Sequence, residues 1–340
     1  MKRLKVRAVA LSPVVLPEEG YITGSTFRGA LAYQYLRSRG IADPAHDDLF
    51  QRAFVQERLR VSPLYPGRFP LPLTAVSCKR HPGFSSPRTD THGVFDLLWY
   101  RLAGKTAPLS CPKCGQDLKG WSGFYTREEQ QGLSTSLETH VGIERLTGTA
   151  SNGVLYTLQT LDPGQELYAT ITLLDDDLED VLSPSIRCGA ERTRGRGNVQ
   201  LSYDEDSIPS NEARMQSWKE WSRNLSLLTA ENNETFYFAI TLVSDTIIVD
   251  RYLRPSADLS DAISWLPSSN SDSHITFSDG TLRFCTTVRQ TRVIKGWNGA
   301  HGLPRERDMA ITKGSVFVYA YQGGNSGLTE LYNLLSELET

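Results

Sequence analysis

Glycine and arginine alternate between residues 189 and 198, and this combination suits contact with a nucleic-acid backbone. Glycine lets the main chain take a positive φ and approach a ligand closely, whereas arginine supplies positive charge and a planar set of donors for phosphate. We therefore expect Arg192, Arg194 and Arg196 to contact RNA phosphates. The alternative is a solvated turn whose charge is incidental.

A second segment of this kind lies between Lys295 and Arg305. Its two terminal cations suit phosphates, the indole of Trp297 suits stacking on an unpaired base, and the amide of Asn298 suits a base edge or a 2′-hydroxyl. The alternative for Trp297 is packing inside the protein. Two such segments in one chain favour an RNA-binding protein.

Cysteine and histidine residues form two pairs with the spacing of a metal site. Two residues separate Cys78 from His81, and two separate Cys111 from Cys114. Thiolates and imidazole suit zinc, and four protein ligands leave no open position, so we expect a structural zinc ion. His92 is the rival of His81 as the fourth ligand. A disulfide or free buried thiols are the alternative.

The composition is that of an ordinary globular protein, with 39% apolar and 22% charged residues. The net charge is −3, so binding of nucleic acid requires a local concentration of positive charge. Basic residues gather at 187–196 and 283–313, and acidic residues gather at 175–177 and 204–206. No stretch approaches the ~20 apolar residues that span a bilayer, and the start lacks an apolar signal region. We expect a cytoplasmic protein with no membrane partner.

The first half of the sequence predicts an alternation of strands and helices. Helical patterns cover 24–40 and 176–186, and period-two patterns predict strands at 4–11, 154–161, 166–173 and 198–203. The turn sequence Asp162-Pro-Gly-Gln predicts a hairpin between the two middle strands. The order β-α-β-β-α-β is that of a ferredoxin-like, or RRM-like, fold.

The second half predicts further strands and an amphipathic helix at 328–338, which indicates a second, divergent domain of similar type. We therefore expect an α+β protein with two ferredoxin-like domains, at 1–203 and 235–340. The segment 204–234 is a linker or a helical arm. Residues 78–125 are expected to be a zinc-binding insertion in the first domain, because so short and polar a segment cannot build its own core.

The start of the first predicted helix, at Gly24, is another candidate phosphate site. Free backbone N–H groups and the helix dipole favour an anion there, and Ser25, Thr26 and Arg28 add two hydroxyl groups and a guanidinium. An ordinary serine cap with a solvated arginine is the alternative.

Four motifs, in this order, resemble the RAMP proteins of CRISPR effector complexes, and among them the Csx-ten family of type III-D systems. They are Tyr21-Ile-Thr-Gly-Ser-Thr-Phe-Arg-Gly-Ala30, His140-Val-Gly-Ile-Glu-Arg-Leu-Thr-Gly-Thr-Ala150 with Gly153-Val-Leu-Tyr156, the loop 189–197, and Gly296-Trp-Asn with Gly302-Leu-Pro-Arg305 and Lys313-Gly-Ser-Val-Phe317. The cysteine and histidine segments also fit that group. The resemblance covers most of the chain, but residues 204–234 and 250–275 match nothing in it.

The resemblance implies two ferredoxin-like RAMP domains and a subunit that binds CRISPR RNA without cutting it. The implied role is Cas-five-like: the subunit holds the repeat-derived 5′ handle, meets target RNA through the guide, and docks neighbouring RAMP subunits and the large subunit. His140 and Arg145 then contact RNA or tie strands to the glycine loop. Affinity is expected to be mostly electrostatic and therefore sensitive to salt.

Two other functions fit parts of the sequence. Asp43 and Asp47 follow the first helix, where a Cas-seven-like backbone subunit carries a loop aspartate that cuts target RNA with a divalent metal, although an acidic solvated turn explains them equally well. The other function is a zinc-stabilised protein-interaction module that contacts no RNA. The sequence has no complete phosphate-loop motif and no nucleophile elbow, which argues against an ATPase and a serine hydrolase.

Overall fold

A computed structural model describes residues 1–15, 20–85, 90–125, 130–206, 211–229, 235–270, 273–298 and 302–339. The chain forms two compact units, and each is built from two stretches of sequence. Unit 1 comprises Met1–Phe69 and Phe124–Ile208, and unit 2 comprises Pro70–Gly123 and Pro209–Thr340. The segment expected as an insertion in the first domain therefore lies almost entirely in unit 2.

The structure contains many short strands and few long helices. The helices are α1 (Gly24–Arg39), α2 (Asp48–Phe50), α3 (Leu98–Leu102), α4 (Asn211–Thr229) and α5 (Asn325–Glu339). The strands are β1 (Lys2–Ala10), β2 (Val14–Val15), β3 (Leu59–Val61), β4 (Phe69–Pro70), β5 (Ala75–Cys78), β6 (Val94–Asp96), β7 (Leu118–Gly120), β8 (Phe124–Tyr125), β9 (Gln130–Gln131), β10 (Thr135–Ile143), β11 (Ala150–Leu161), β12 (Glu166–Leu173), β13 (Ser185–Arg187), β14 (Asn198–Glu205), β15 (Thr235–Thr241), β16 (Ile248–Val249), β17 (Pro255–Ser256), β18 (His274–Phe277), β19 (Gly280–Val288), β20 (Thr291–Ile294), β21 (Trp297–Asn298), β22 (Leu303–Pro304), β23 (Asp308–Ile311) and β24 (Val316–Gly323). Among the described residues, no helix is both long and apolar enough to cross a membrane.

A five-stranded antiparallel sheet forms the centre of unit 1, in the order β13-β14-β1-β12-β3. Successive side chains of a strand point to opposite faces, so alternate residues of β1 enter the core. The buried residues of β1 are Leu4, Val6, Ala8 and Ala10. Helix α1 supplies the buried residues Phe27, Ala30, Leu31 and Tyr35 to the same core.

The first predicted helix is confirmed by α1. Thr23 caps its start, because Thr23 Oγ1 accepts a hydrogen bond from Thr26 N at 3.3 Å. Gly40 ends the helix with φ +64°, a left-handed conformation that glycine adopts without strain. The cap is therefore Thr23, two residues before Ser25, the serine cap considered above.

The predicted hairpin between 154–161 and 166–173 does not form, and this prediction was wrong. Strand β11 pairs instead with β10 and β2, whereas β12 lies between β1 and β3. The turn that joins them is bound to other strands: Gly164 N donates to Ala10 O at 2.8 Å, and Asp162 accepts from the Ser134 hydroxyl at 2.5 Å. These bonds direct the chain from one sheet to another.

The second predicted helix is also mostly absent. Residues Asp176–Val181 form a 3-10 helix, and β13 follows at Ser185–Arg187 on the edge of the sheet. Strand β3, which has only three residues, occupies the position in the sheet that was predicted for 154–161. So short a strand carries too few residues to show a period-two pattern.

Unit 2 contains a four-stranded antiparallel sheet in the order β15-β24-β19-β18. Its core is aromatic, with Phe236, Phe238, Phe317, Tyr319 and Tyr321 buried. Helix α5 packs Leu331, Tyr332 and Leu335 against this core, as its amphipathic pattern predicts.

Residues outside the expected second domain also join the core of unit 2. Leu98 of α3 packs against Val316 and Val318. Leu73 N donates to Gly314 O at 2.8 Å, and a Cβ at Gly314 would lie 2.5 Å from Leu71 O. This close backbone contact explains why the stretch 70–123 belongs to unit 2.

The segment 204–234, for which the sequence predicts either a linker or a helical arm, contains helix α4. Trp218 stacks on Tyr332 with ring centroids 5.9 Å apart, and the hydroxyl of Ser222 accepts a hydrogen bond from Tyr237 N at 2.8 Å. The helix is therefore part of the core of unit 2.

Glu166 and Arg7 form an ion pair on neighbouring strands of unit 1. The bond to Arg7 lowers the pKa of Glu166 to about 2, and the Tyr168 hydroxyl, which donates at 2.7 Å, acts in the same direction. A depressed pKa stabilises the fold at pH values above the ordinary value of a glutamate, and this contribution is lost as the pH falls towards 2.

We therefore expect Glu166→Gln to lower the melting temperature of unit 1 by about 1–3 °C at neutral pH, as for other partly exposed ion pairs. The difference from the unchanged protein should shrink between about pH 4.5 and about pH 2. Thermal unfolding followed by circular dichroism across this range measures both. A difference that is the same at pH 7 and pH 3 would show that the charge of Glu166 contributes nothing.

Candidate nucleic-acid interface and metal centre

Four cysteine and histidine side chains converge in unit 2. The ligand atoms of Cys78, His92, Cys111 and Cys114 all lie within 4.8 Å of one another. The sulfurs of Cys78 and Cys114 are 3.5 Å apart, and Nδ1 of His92 lies 3.4 Å from the Cys111 sulfur. Two of the thiols, those of Cys78 and Cys111, are buried.

A small sheet and a tight turn hold these residues. Cys78 ends β5, which pairs with both β6 and β7. Cys111 and Cys114 lie in a turn that is closed by a hydrogen bond from Gly115 N to Cys111 O at 2.8 Å. Gly115 has φ +70°, which allows the chain to reverse directly after the second cysteine.

The structure places His92, rather than His81, beside the three sulfurs. The backbone N–H of His81 lies 3.5 Å from the Cys78 sulfur, while its ring stacks on His92 with centroids 4.4 Å apart. Nδ1 of His81 is 2.9 Å from the Asp90 carboxylate. His81 therefore lies against the ring of His92 and is grouped with Asp90 and His92 in a second set of ligand atoms within 4.8 Å of one another, so its role as fourth ligand stays a prediction.

Two of the three thiols, those of Cys78 and Cys111, are prepared for the thiolate form that metals bind, whereas burial and the neighbouring thiols raise the pKa of Cys114. Burial raises the pKa of Cys78, but the backbone N–H groups of His81 and Arg80 outweigh it, so the pKa of this thiol lies below its ordinary value. The pKa of Cys111 is likewise lowered, against the effect of burial, by the backbone N–H groups of Lys113 and Cys114. Three thiolates and one imidazole in this arrangement fit a tetrahedral metal ion.

In unit 1, two positions of the loop 189–197 are packed so closely that only glycine fits. A Cβ at Gly197 would lie 2.0 Å from Cys188 O, and one at Gly189 would lie 2.7 Å from Val15 O. Gly197 N donates to Pro13 O at 2.9 Å, and Cys188 N donates to Gly197 O at 2.9 Å. The two ends of the loop are therefore clamped against each other and against the chain at 13–15.

Acidic and phenolic groups hold two of the three loop arginines. Arg196 donates to the Glu138 carboxylate and lies 3.6 Å from that of Glu191, and only 13% of its side chain is exposed. Arg194 donates at 3.0 Å to both the Tyr156 hydroxyl and Glu191, but 59% of its side chain remains exposed. These bonds attach the loop to the β10–β11 hairpin.

Arg196 also fixes the charge state of its partner. Its hydrogen bond lowers the pKa of the Glu138 carboxyl, which therefore stays ionised at neutral pH. His140 lies in the same cluster: its Nε2 is 3.3 Å from Glu138, and its ring stacks on Tyr156 with centroids 5.4 Å apart. Of the two roles considered for His140, the structure places it where it ties the hairpin to the loop.

Arg192 is the loop arginine that has no acidic partner in the described part of the chain. Its guanidinium lies over the ring of Tyr33, 5.4 Å from the centroid, and 47% of Tyr33 is exposed. Arg145 is exposed in the turn between β10 and β11, which a hydrogen bond from Gly148 N to Glu144 O closes at 2.9 Å.

At the start of α1, the three candidate residues separate into two groups. Ser25 and Thr26 are exposed. Arg28 is half-buried, donates to Phe54 O and lies 3.3 Å from the Glu57 carboxylate. Arg28 thus ties α1 to the turn before β3.

Asp43 and Asp47 both cap short helical turns. Asp43 accepts from Ala45 N at 3.0 Å and lies 2.8 Å from His46 Nδ1. Asp47 accepts from Phe50 N at 2.7 Å and from the Tyr35 hydroxyl at 3.0 Å. These bonds give both carboxylates a structural role.

In the described part of the segment 295–305, which belongs to unit 2, β21 pairs with β22. Arg305 N donates to Gly296 O at 2.9 Å, and the side chains of Lys295 and Arg305 are exposed. The side chains of Trp297 and Asn298 lie outside the described part of the structure.

Sequence reasoning missed Glu138, Tyr156 and Glu191. Glu138 and His140 share one face of β10, and Tyr156 lies opposite His140 in the register. A strand pattern reveals such neighbours only after the pairing is known, because a shift of one residue exchanges the faces.

The metal centre gives a direct test with a matched pair of variants. His92→Ala should lose most of the bound metal, because it removes a ligand, whereas His81→Ala should retain it. The metal content of each purified protein, measured by inductively coupled plasma mass spectrometry, decides between them. Retention of metal by His92→Ala and its loss from His81→Ala would restore His81 as the fourth ligand.

Comparisons with solved structures find matches at low identity and with TM-scores below 0.5. The similar chains come from a cryo-EM structure of the type III-B Cmr-beta bound to cognate target RNA (14% identity, 92% of this chain and 86% of that chain covered, TM-score 0.46), from a crystal structure of oligomeric Cmr4 from Pyrococcus furiosus (13%, 60% and 99%, TM-score 0.30), and from a type IV-B CRISPR complex (14%, 61% and 94%, TM-score 0.30). Similarity at this level carries no argument about function.

A comparison with curated proteins finds no match. The sequence model of the RAMP superfamily matches residues 17–200, which is more than half of the chain. The matched region contains α1, the β10–β11 hairpin and the clamped loop 189–197. The chain therefore belongs to the RAMP superfamily.

Proposed function

We propose that this protein binds CRISPR RNA as one subunit of a type III effector complex, and that it is a type III-D subunit of the Csx-ten kind which holds the repeat-derived 5′ handle. The observation that carries the proposal is the loop 189–197, which lies inside the region matched by the superfamily and presents two exposed arginines on a rigid base. The handle-binding role rests on the motif resemblance, which extends over both halves of the chain.

The proposed RNA contacts are made by side chains that are exposed and carry positive charge or hydrogen-bond donors. Arg192 and Arg194 grip phosphates, because their guanidinium groups reach solvent, whereas Arg196 holds the loop in place. Tyr33, half exposed beneath Arg192, offers a ring on which a base can stack. Ser25, Thr26 and Arg145 add donors in the same unit, and Lys295, Trp297, Asn298 and Arg305 act in unit 2.

The finer fold assignment is also a proposal. The four strands β1, β3, β12 and β14 have the sheet order of a ferredoxin-like fold, with β3 as the second strand and the 3-10 helix Asp176–Val181 in place of the second helix. This supports a ferredoxin-like RAMP domain in unit 1. The sheet of unit 2 has a different order, so the proposal of a divergent RAMP-like domain there rests on the motif resemblance alone.

We assign zinc to the metal centre, held by Cys78, His92, Cys111 and Cys114. The donor set supports this choice, because three thiolates and one imidazole suit zinc better than the oxygen-preferring ions. When bound, the ion supplies structural cross-linking and no open coordination position. The small sheet β6-β5-β7 is buried only along β5, and we propose that it depends on the ion for order.

The proposed partners are CRISPR RNA, target RNA paired with its guide, other RAMP subunits and the large subunit, in the cytoplasm. We propose no catalytic role. The capping bonds of Asp43 and Asp47 explain both side chains without metal-dependent cleavage of target RNA.

Charge reversal tests RNA binding. The double variant Arg192→Glu and Arg194→Glu should bind single-stranded RNA at least about tenfold more weakly, and the slope of log affinity against log salt should fall by about 1–2, because two phosphate contacts are lost. The control is Arg101→Glu with Arg251→Glu, which makes the same charge change at exposed residues outside the proposed interface. Filter binding at several salt concentrations provides both quantities.

If the control weakens binding as much as the loop variant, the effect is one of overall charge and the loop is not the contact. If neither variant binds more weakly than the unchanged protein, the chain is better described as a metal-stabilised protein-interaction module.

The position in the complex is tested by native mass spectrometry of the assembly purified from its host, with sequencing of the RNA it carries. We expect one copy of the chain per complex and RNA with a uniform repeat-derived 5′ end. Several copies per complex would assign the chain to the Cas-seven-like backbone class instead. Absence of RNA would overturn the CRISPR proposal.

A further inference from the structure

Unit 1 has an open pocket on the side of the sheet where α1 meets the edge strand β13. Its volume is about 630 Å³, and its walls come from α1, β13 and the start of β14. This volume lies within the range of about 300–1,000 Å³ that is typical of sites for small organic ligands. The pocket is separate from the start of α1, since it involves residues of the last two turns of that helix.

The charged residues of this pocket are both positive. Arg37 and Arg187 line it, and no carboxylate does. The guanidinium of Arg37 has no partner in the described part of the chain. Arg187 Nε donates to the Asn198 amide oxygen at 2.9 Å, which holds the side chain in place and leaves its terminal nitrogens for a ligand. Two full positive charges outweigh the partial negative charge of about one half at the end of a helix.

The remaining lining suits a nucleobase. Leu11, whose side chain is 57% exposed, gives the pocket an apolar wall, whereas Ile186 and Val199, which pair across β13 and β14, are buried. Gln34 offers an amide with both donors and an acceptor, and Ser185 offers a hydroxyl. A nucleotide combines the three properties that these residues match, namely a planar apolar face, a polar edge and an anionic phosphate.

The pocket also lies at the base of the clamped loop. Arg187 and Asn198 flank the segment 189–197 on either side, and Leu11 N donates to Asn198 O at 2.9 Å beside the pocket. A strand of RNA that leaves the exposed Arg192 and Arg194 therefore has a cationic pocket next to it in the same unit.

We propose that this pocket binds one nucleotide of single-stranded RNA, with the phosphate held by Arg37 and Arg187 and the base placed against the apolar wall near Gln34. This inference rests on the proposed function for the source of the nucleotide, since the same chemistry would accept a free nucleotide. The two sources are distinguished below.

The test uses the full-length protein and two ligands, 5′-AMP and a single-stranded RNA oligonucleotide. Arg37→Ala and Arg187→Ala are compared with Arg39→Ala, a neighbouring cation of α1 that does not line the pocket and instead stacks on Tyr35. Loss of a charge-assisted hydrogen bond to phosphate should weaken binding about tenfold in each pocket variant and leave Arg39→Ala unchanged. Because the Arg37 side chain is exposed and has no hydrogen bond or ion pair among the described residues, its variant should fold normally, as circular dichroism would verify.

Three outcomes separate the possibilities. Weaker RNA binding by both pocket variants, with no measurable affinity for 5′-AMP in any protein, supports a site for a nucleotide within a strand. Tight binding of 5′-AMP that only the pocket variants lose supports a free-nucleotide site, and this result stands even if the protein binds no RNA and the proposed function fails. If Arg37→Ala and Arg187→Ala bind both ligands as the unchanged protein does, or if no protein binds either ligand, the proposal is overturned.

Discussion

The loop 189–197 is closed at its base by the tightly packed Gly189 and Gly197, and we call this base the neck of the loop. The neck is the constraint on which the rest of unit 1 depends. At Gly197 and Gly189 the backbone runs so close to Cys188 and Val15 that no side chain larger than hydrogen fits. The main-chain bonds of Gly197 then lock β14, the strand that follows, in register with the chain at 13–15. Because the neck is rigid, the arginines above it extend in fixed directions, and the pocket beside it has a firm wall.

Some arginines of the loop are neutralised by glutamates within the protein, and others keep their charge at the surface. A net charge of −3 leaves the protein with little positive field of its own, so a few unpaired guanidinium groups have a large effect on where an anion can settle. Glu138 and Glu191 neutralise Arg196 and partly neutralise Arg194, and they thereby anchor the hairpin to the loop. Arg192 and Arg37 keep their charge for solvent or ligand. The loop motif thus contains one arginine that anchors the loop, Arg196, and another that is available to a ligand, Arg192.

The parts of the structure that were predictable from sequence are those that depend on local pattern. Helix α1 has its apolar spacing and its terminal glycine, and β1 and β12 show period-two alternation, so these elements follow from short-range chemistry. The pairing of β11 does not follow from local chemistry, because the turn at 162–165 could equally close a hairpin. Only the hydrogen bonds of this turn to Ser134 and Ala10 direct β11 and β12 to different sheets. The same holds for His92: the spacing predicted His81 as the fourth ligand with His92 as its rival, and only the folded chain shows that His92 lies with the three sulfurs. The role of Arg196 depends on Glu138, which is remote in sequence and unrecognisable before the register is known.

The division of each unit into two stretches of chain has a consequence for synthesis on the ribosome. Strand β1 emerges long before its neighbours β12 and β14, which lie far downstream; Arg7 and Glu166, for example, are 159 positions apart. The cysteines of the metal centre are much closer, since Cys78 and Cys114 are separated by 36 positions. At a translation rate of about 5–20 residues per second, β1 waits roughly ten seconds or more for its partners, while the metal-binding segment can close well before then. The apolar face of β1 is therefore accessible to chaperones until β12 and β14 have been synthesised.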